Sequence, residues 1–318
     1  MLGWYGTEAT DAVVSAEEQV ETLDVKTLPD KDARRRYAAL VGLDDQKSRL
    51  VKQLSIIYKP SLLRHWVTRH GNERLERAIN ERPPLFVLAG DVGSGKTELA
   101  ETVGDMVSRE LDIGIHLYRL SLNARGSGLV GDMTRLIIAA FERVKSDASA
   151  WRSSGGDARS GAILFIDEAD SLAQSRSSDQ MHHEDRVGVN AVIRSLNDLT
   201  AARAPVAVIM ATNRGRALDP GVARRAADIL EFGRPSADHR RLLLSDALAP
   251  QLNQQDIDKL VAGTGPINGR DYGYAFSDIT QRLIPNIALA AYPDHAVDLQ
   301  LAQVVLQRTS PTAPFEGA

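Results

Sequence analysis

Five short runs of apolar, β-favouring residues recur along the middle of the chain, and stretches with helical spacing of apolar positions separate them. The runs lie at residues 85–89, 115–120, 162–166, 206–210 and 229–232. Strands that alternate with helices need crossover connections, which give a mostly parallel sheet with helices on both faces. The pattern therefore predicts a large α/β domain over residues 41–234, built on a mostly parallel five-stranded sheet.

The pattern changes on both sides of this domain. From Pro235 onward the β signal disappears and helical patterns dominate, which predicts a small all-helical domain over residues 235–310 and a tail over 311–318. Residues 1–40 have the composition of an extension or linker, because an acidic block precedes a basic one and charge blocks are usually solvated. A partner-docking arm is the alternative for this extension. Two domains suit the length of 318 residues, since single cores stop growing near ~250–300 residues.

Residues 90–97 match the phosphate-binding pattern G-x-x-x-x-G-K-[ST] without a gap. The first apolar run precedes this loop and a helical pattern follows it, which is the context that the motif requires. The glycines let backbone N–H groups turn toward phosphates, Lys96 reaches the β- and γ-phosphates, and the Thr97 hydroxyl can ligate Mg²⁺. The predicted nucleotide-binding residues of this segment are Gly90, Asp91, Val92, Gly93, Ser94, Gly95, Lys96, Thr97 and Glu98.

Polar residues follow the third and fourth apolar runs. Asp167 and Glu168 come directly after residues 162–166, at the carboxyl end of a buried strand, where open α/β sheets place their ligand sites. In nucleotide hydrolysis Asp167 would hold Mg²⁺ and Glu168 would polarise the attacking water. Asn213 follows the fourth run and could orient that water or sense the γ-phosphate, although an isolated asparagine there is more often a turn residue.

The charge, the lack of cysteine and the lengths of the apolar runs limit which partners and compartments the protein can have. The net charge of −4 and pI near 6.0 lack the basic footprint of a protein whose main partner is nucleic acid. There is no cysteine, which excludes disulfides and zinc sites of the cysteine type. No apolar run approaches the ~18–20 residues of a membrane span, and the N-terminus lacks the layout of a signal peptide. We expect a soluble, cytoplasmic protein without a membrane partner.

The order of phosphate loop, Asp-Glu strand end, strand-end asparagine and downstream arginines resembles that of the AAA+ ATPases over about residues 40–310. The resemblance implies ATP and Mg²⁺ as cofactors and Asn213 as the sensor 1 residue. It also implies an arginine finger at Arg224 or Arg225, which completes the active site of a neighbouring subunit in a homo-oligomeric ring, usually a hexamer. Many protein-remodelling relatives carry a second arginine at the position of Ala227. Its absence here leaves both arginines as candidates.

Two further positions follow from the resemblance alone. Val41-Gly42 resembles the segment that packs on the adenine base. Asn268-Gly269-Arg270, taken as the start of a helical pattern, resembles the sensor 2 position, where Arg270 would contact the γ-phosphate of its own subunit. A solvated arginine at a helix start is the alternative for Arg270. The implied catalytic residues are Lys96, Glu168, Asn213, Arg224, Arg225 and Arg270, with Thr97 and Asp167 as metal ligands.

A closer resemblance lies in three segments, at residues 167–172, 186–193 and 225–229. They look like the pachytene-checkpoint type of AAA+ ATPase, whose members remodel HORMA-domain proteins. The short chain is similar to the compact bacterial members, which are associated with CD-NTase (CBASS) antiphage systems. A HORMA-domain protein is the client that this resemblance implies.

Leu129 and Val130 occupy the place of the central pore loop of remodelling relatives, with leucine where an aromatic residue is common. An apolar side chain at a loop tip can grip an extended polypeptide, and a helix-capping turn with Asp132 as N-cap is the alternative. We therefore predict an ATP-hydrolysing ring motor that remodels or disassembles a client protein. A nucleotide-switched loader acting on DNA or a DNA-bound complex is the second hypothesis, which the acidic charge disfavours.

Overall fold

The computed structural model describes residues 23–121, 132–170, 183–214 and 219–315. Within them one sheet has six strands in the order β1-β3-β4-β5-β2-β6. The strands are β1 Asp24–Leu28, β2 Leu85–Gly90, β3 Gly114–Ser121, β4 Ser160–Asp167, β5 Val206–Thr212 and β6 Ala226–Phe232. Neighbouring strands pair in parallel except β1, which lies antiparallel to β3. The predicted α/β class is confirmed, with one strand more than the sequence indicated.

Helices cover both faces of the sheet. Those of the α/β part are α1 Lys31–Ala39, α2 Asp44–Tyr58, α3 Pro60–His70, α4 Glu73–Asn80, α5 Lys96–Leu111, α6 Asp132–Ala148, α7 His183–Ala202 and α8 Pro220–Ala223. Along β4, Leu164 and Ile166 join the core beneath α6 and α7, whereas Ile163 and Phe165 join the core beneath α2 and α5. Because successive strand residues point to opposite faces, a strand buried on both sides must be apolar throughout. This requirement explains the continuous apolar runs of the sequence.

The chain before residue 41 is part of this domain from Asp24 onward, which corrects the expected linker. Leu28 of β1 is fully buried in the core beneath α5, and Ala33 of α1 is buried with it. Asp30 caps α1 by accepting from the Ala33 N–H at 3.0 Å, and its own N–H donates to the buried Asp105 at 2.7 Å. The linker expectation failed because the edge strand is short and three of its five residues are exposed, so its apolar content is low. Residues 1–22 lie outside the described part of the chain.

The remaining helices form a domain of their own with a third apolar core. They are α9 Ala237–Leu248, α10 Gln254–Gly263, a π-helical segment Asp278–Leu283 that continues into α11 Ile284–Ala291, and α12 Leu299–Arg308. Residues 311–315, expected as a tail, form hydrogen bonds with both domains. In the described portions of the chain, no helix has the length and apolar character that crossing a bilayer demands.

Candidate active site

A cavity of about 610 Å³ opens where the carboxyl ends of β2, β4 and β5 meet the helical domain. This volume lies in the range of small-molecule sites, and the switch edge of an α/β sheet is where such sites occur. The predicted residues that line it are Val41, Val92, Gly93, Ser94, Gly95, Lys96, Thr97, Glu98, Asp167, Glu168 and Asn213. The fold thus assembles residues from distant segments of the sequence at one site.

The phosphate loop is shaped by glycines whose positions exclude side chains. Gly90 and Gly93 have φ values of 153° and 68°, and a Cβ atom at either would lie 2.0 Å from an oxygen, that of the Phe232 carbonyl or the Ser277 hydroxyl. Gly95, also at positive φ, directly precedes the sixteen-residue helix α5. The backbone N–H groups in the first turn of α5 therefore point toward the loop. A helix N-terminus under such a loop binds phosphate. The Ser277 N–H donates to the Gly93 carbonyl at 3.1 Å, so the helical domain lies directly on the loop.

Lys96 is held inside the loop rather than in solvent. Its Nζ donates to the carbonyl oxygens of Gly90 at 3.0 Å and Asp91 at 2.7 Å, and to Asn213 Oδ1 at 2.9 Å. Burial lowers the pKa of Lys96 to about 8, although nearby carboxylates partly offset the effect. The structure therefore brings the predicted phosphate lysine and the predicted γ-phosphate sensor into direct contact.

The lowered pKa of Lys96 predicts a pH-dependent affinity for nucleotide. Above pH 8 the nucleotide-free protein holds a neutral amine, which must take up a proton to pair with a triphosphate. We expect the Kd for ATP to rise above pH 8, by at most about tenfold per pH unit. Titration of a fluorescent ATP analogue between about pH 7 and pH 9.5 measures this. A Lys96→Arg variant, which does not titrate there, should give a flat profile; a flat profile for the parent chain would contradict the assignment.

Asp167 and Glu168 adopt different environments at the end of β4. Asp167 is buried, accepts from the Thr97 hydroxyl at 3.3 Å and is paired with Arg119 at 2.8 Å. Glu168 is exposed toward the cavity and has a φ of 52°, a value that non-glycine residues seldom adopt outside constrained sites. One carboxylate is thus fixed beside a hydroxyl, and the other faces the space where water and phosphate would lie.

The oxygens of Thr97 and Asp167 suit Mg²⁺, which prefers oxygen ligands and usually keeps several from water and phosphate. Among the described residues no group of three or more His, Asp or Glu could hold a metal ion by itself. A pair of protein oxygens next to a phosphate loop suits a metal ion whose other ligands are phosphate and water. Bound there, Mg²⁺ would neutralise charge on the phosphates.

Three charged residues of the site lie outside the set of site residues predicted from the sequence. Asp170 accepts from the Asn213 N–H and the Thr212 hydroxyl, both at 2.7 Å, and so fixes the strand-end asparagine. Arg119 bridges Asp167 and Glu101, and Arg36 pairs with Glu98 and Glu101 at 2.6 Å. Asp170 follows the Asp-Glu pair closely enough for its position to be a signal. Arg119 and Arg36 have no such signal in the sequence, because only the order of the strands and the packing of α1 bring them near the carboxylates of the site.

The end of the cavity beside Val41, where the base is predicted to lie, is apolar. Val41 lines it together with Leu40, Leu43, Leu243 and Phe276, so both domains contribute. Gly42 has a φ of 73°, and a Cβ atom there would lie 2.5 Å from the His239 ring. A side chain at residue 42 would therefore be strained and would have to displace the His239 ring of α9.

The predicted arginines lie outside the cavity wall formed by the described residues. Arg224 and Arg225 donate to the carbonyls of Pro220 and Gly221 beside α8. Arg270 donates to the Gly265 carbonyl at 2.7 Å, and its guanidinium lies 5.4 Å from the Tyr274 ring centre. The expected helix start at Arg270 is wrong, since a bridged turn joins it to Ile267.

The helical domain instead lines the cavity with Phe276, Ser277, Thr280 and Gln281. These residues lie at and just before the π-helical segment, several positions after the turn that holds Arg270. Leu129 and Val130, the predicted pore-loop residues, lie outside the described residues.

Comparison with known proteins identifies the family to which this chain belongs. A family model described as the ATPase family associated with various cellular activities (AAA) matches residues 86–234. CD-NTase-associated protein 6 from Escherichia coli (strain MS 115-1) is 50% identical over 290 residues, which are 90% of this chain and 93% of that relative. The chain belongs to the CD-NTase-associated protein 6 family of AAA ATPases.

Solved structures are similar to this AAA ATPase over nearly its whole length. A chain in the structure of the E. coli MS115-1 HORMA:CdnC:Trip13 complex has a TM-score of 0.87 and 47% identity, covering 93% of this chain and 98% of that one. Rhizobiales Trip13 has a TM-score of 0.72 and 44% identity, covering 92% and 99%. The resemblance to the bacterial, CD-NTase-associated branch is confirmed, and ATP hydrolysis is the activity of the family.

Proposed function

We propose that this AAA ATPase works as a homo-oligomeric ring, with six subunits as the expected number, that remodels a HORMA-domain client in an antiphage signalling system. The observation that supports the proposal is that the predicted active-site residues do not all lie in one cavity of a single chain. The phosphate loop, Asp167, Glu168 and Asn213 converge on one cavity, whereas Arg224 and Arg225 lie outside it. A second subunit would complete the site with one of these arginines.

Each residue of the cavity has a distinct chemical role in this proposal. Thr97 and Asp167 would hold Mg²⁺, and Lys96 would leave Asn213 to pair with the β- and γ-phosphates. Glu168 would accept a proton from the attacking water, which Asn213, fixed by Asp170, would help to orient. Arg270 stays a sensor 2 candidate only if the helical domain moves, because its present partners are Gly265, Tyr272 and Tyr274.

We infer the client from the proteins present in the solved structure of a relative. The E. coli MS115-1 structure contains a HORMA protein and CdnC together with Trip13, and this chain covers 98% of the matching chain in that structure. We assign the same class of client to this chain, and Leu129 and Val130 as the residues that grip it in the pore. The ring would act in the cytoplasm, where its signalling partner would lie.

A trapped complex tests this function. Glu168→Gln should hold ATP and keep the client bound, so purification of this variant from its native host should recover a HORMA-domain protein. A Lys96→Ala variant, which cannot retain nucleotide, is the matched control and should recover none. Recovery of nucleic acid alone would favour the DNA-loader hypothesis, and equal recovery by both variants would contradict nucleotide-dependent engagement.

A further inference from the structure

Residues 309–315, here called the strap, cross from the end of α12 to the phosphate loop. Thr309 anchors the strap, since it is buried and its carbonyl accepts from the Tyr274 hydroxyl. In the described part of the chain, no strap residue lines the nucleotide cavity. The strap nevertheless contacts three elements that line this cavity, namely the helical domain, the phosphate loop and the turn after β5.

The first contact is with the helical domain. The Thr312 hydroxyl donates to Asp278 Oδ1 at 2.7 Å, and the Thr312 N–H donates to Oδ2 at 3.0 Å. Asp278 is fully buried and begins the π-helical segment, directly after Ser277 and two residues before Thr280, both of which line the cavity. The strap therefore holds the start of the segment that contributes Thr280 and Gln281 to the cavity lining.

The second contact is with the phosphate loop. The Phe315 N–H donates to Asp91 Oδ1 at 3.2 Å, and Arg234 pairs with the other oxygen of Asp91 at 2.6 Å. Arg234 also donates to the Thr312 carbonyl at 2.8 Å, so it joins the strap to the loop a second time. Asp91 and Arg234 are nearly buried, with side chains 10% and 14% exposed. Charged hydrogen bonds in such surroundings are stronger than those in water.

The third contact is with the residue after the γ-phosphate sensor. The Arg214 guanidinium lies 5.4 Å from the centre of the Phe315 ring, within the range of a cation–π interaction. Arg214 follows Asn213 directly, and its N–H donates to the Thr212 hydroxyl at 3.0 Å. The ring thus supports the turn that presents Asn213 to Lys96.

We propose that the strap is a positioning element for ATP hydrolysis, in which Thr312 seats the helical domain over the nucleotide and Phe315 fixes the turn that carries Asn213. Thr312 and Phe315 act through Asp278 and Arg214, respectively, and touch no reacting atom. The inference concerns the nucleotide site of one chain, and it holds whether or not the ring and its HORMA client are as proposed above.

Two point variants of the full chain separate the roles. Thr312→Val removes only the hydroxyl bond to Asp278, so KM for ATP and the Kd of a fluorescent ADP analogue should rise about fivefold with little change in kcat. Phe315→Ala keeps the backbone bond to Asp91 and removes the ring beneath Arg214, so kcat should fall about threefold or more while Kd changes little.

Conservative variants and a matched control make the test decisive. Thr312→Ser keeps the hydroxyl and Phe315→Tyr keeps the ring, so both should match the parent chain, as should Ser310→Ala at an exposed strap position. Thermal unfolding of each variant shows that binding is measured on folded protein. The proposal is overturned if Thr312→Val and Phe315→Ala match Ser310→Ala in KM, Kd and kcat, or if both variants lower thermal stability without the split between KM and kcat.

Discussion

A Glu168→Gln variant is expected to bind ATP with nearly the parent affinity and to hydrolyse it at least about a hundredfold more slowly. Glu168 is exposed toward the cavity, next to the fixed Asp167, so glutamine occupies the same space but cannot accept a proton from water. The phosphate loop and Asp167, which are the groups predicted to contact the nucleotide, are unchanged. Steady-state phosphate release and titration of a fluorescent ATP analogue measure the two effects.

The matched control is Glu142→Gln on α6, where an exposed glutamate pairs only weakly with Lys145 at 3.9 Å. It should hydrolyse ATP at the parent rate. If Glu168→Gln kept more than about a tenth of that rate, another group would have to activate the water, because loss of a general base costs at least about a hundredfold.

The second large effect is expected at the arginines beside α8. Either Arg224→Ala or Arg225→Ala should lower kcat by about a thousandfold or more while nucleotide binding persists, since an arginine supplied by a neighbour stabilises charge only in the transition state. The other variant should have a small effect. Among the described residues, the guanidinium groups of Arg224 and Arg225 donate only to carbonyls one turn earlier in α8, so neither loss should unfold the domain.

Mixing variants tests whether the arginine acts between subunits. A Lys96→Ala chain has no working phosphate loop but keeps its arginines, and the finger variant has the reverse defect. Mixed oligomers should therefore recover part of the activity that neither variant shows alone. If both arginine variants hydrolysed ATP at the parent rate, the site would be complete within one chain and the ring proposal would lose its main support.

The sheet and the phosphate loop could be predicted because both depend on local sequence. The strands of the α/β core are buried on both faces, so their residues must be apolar in sequence as well as in space. The loop needs glycines at fixed spacing before a helix, and the structure shows why, since side chains at Gly90 and Gly93 would collide with backbone or Ser277. Such requirements are visible without knowledge of the rest of the fold.

The edge strand β1 and the position of Arg270 could not be predicted in the same way. The five residues of β1 are stabilised by pairing with β3, which lies about 90 positions later in the chain. The family resemblance places Arg270 at the start of a helical pattern, but Asn268, Gly269 and Arg270 belong to a bridged turn instead. For β1 the local composition is ambiguous and a distant strand decides the conformation, whereas the turn at Arg270 is closed locally by the bridge between Ile267 and Arg270.

The sequence by itself determined that the chain binds and hydrolyses nucleotide, because Lys96, Thr97, Asp167 and Glu168 lie in patterns that the chemistry requires. Only the tertiary structure decided how that site is held. Arg119 meets Asp167 because β3 lies beside β4, Asp170 fixes Asn213 across neighbouring strand ends, and the strap reaches Asp91 from more than 200 residues away in sequence. Hydrogen bonds and ion pairs of this kind depend on distances that only the folded chain sets, so the contacts of Arg119 and of the strap leave no pattern in the sequence, whereas the position of Asp170 after the Asp-Glu pair does.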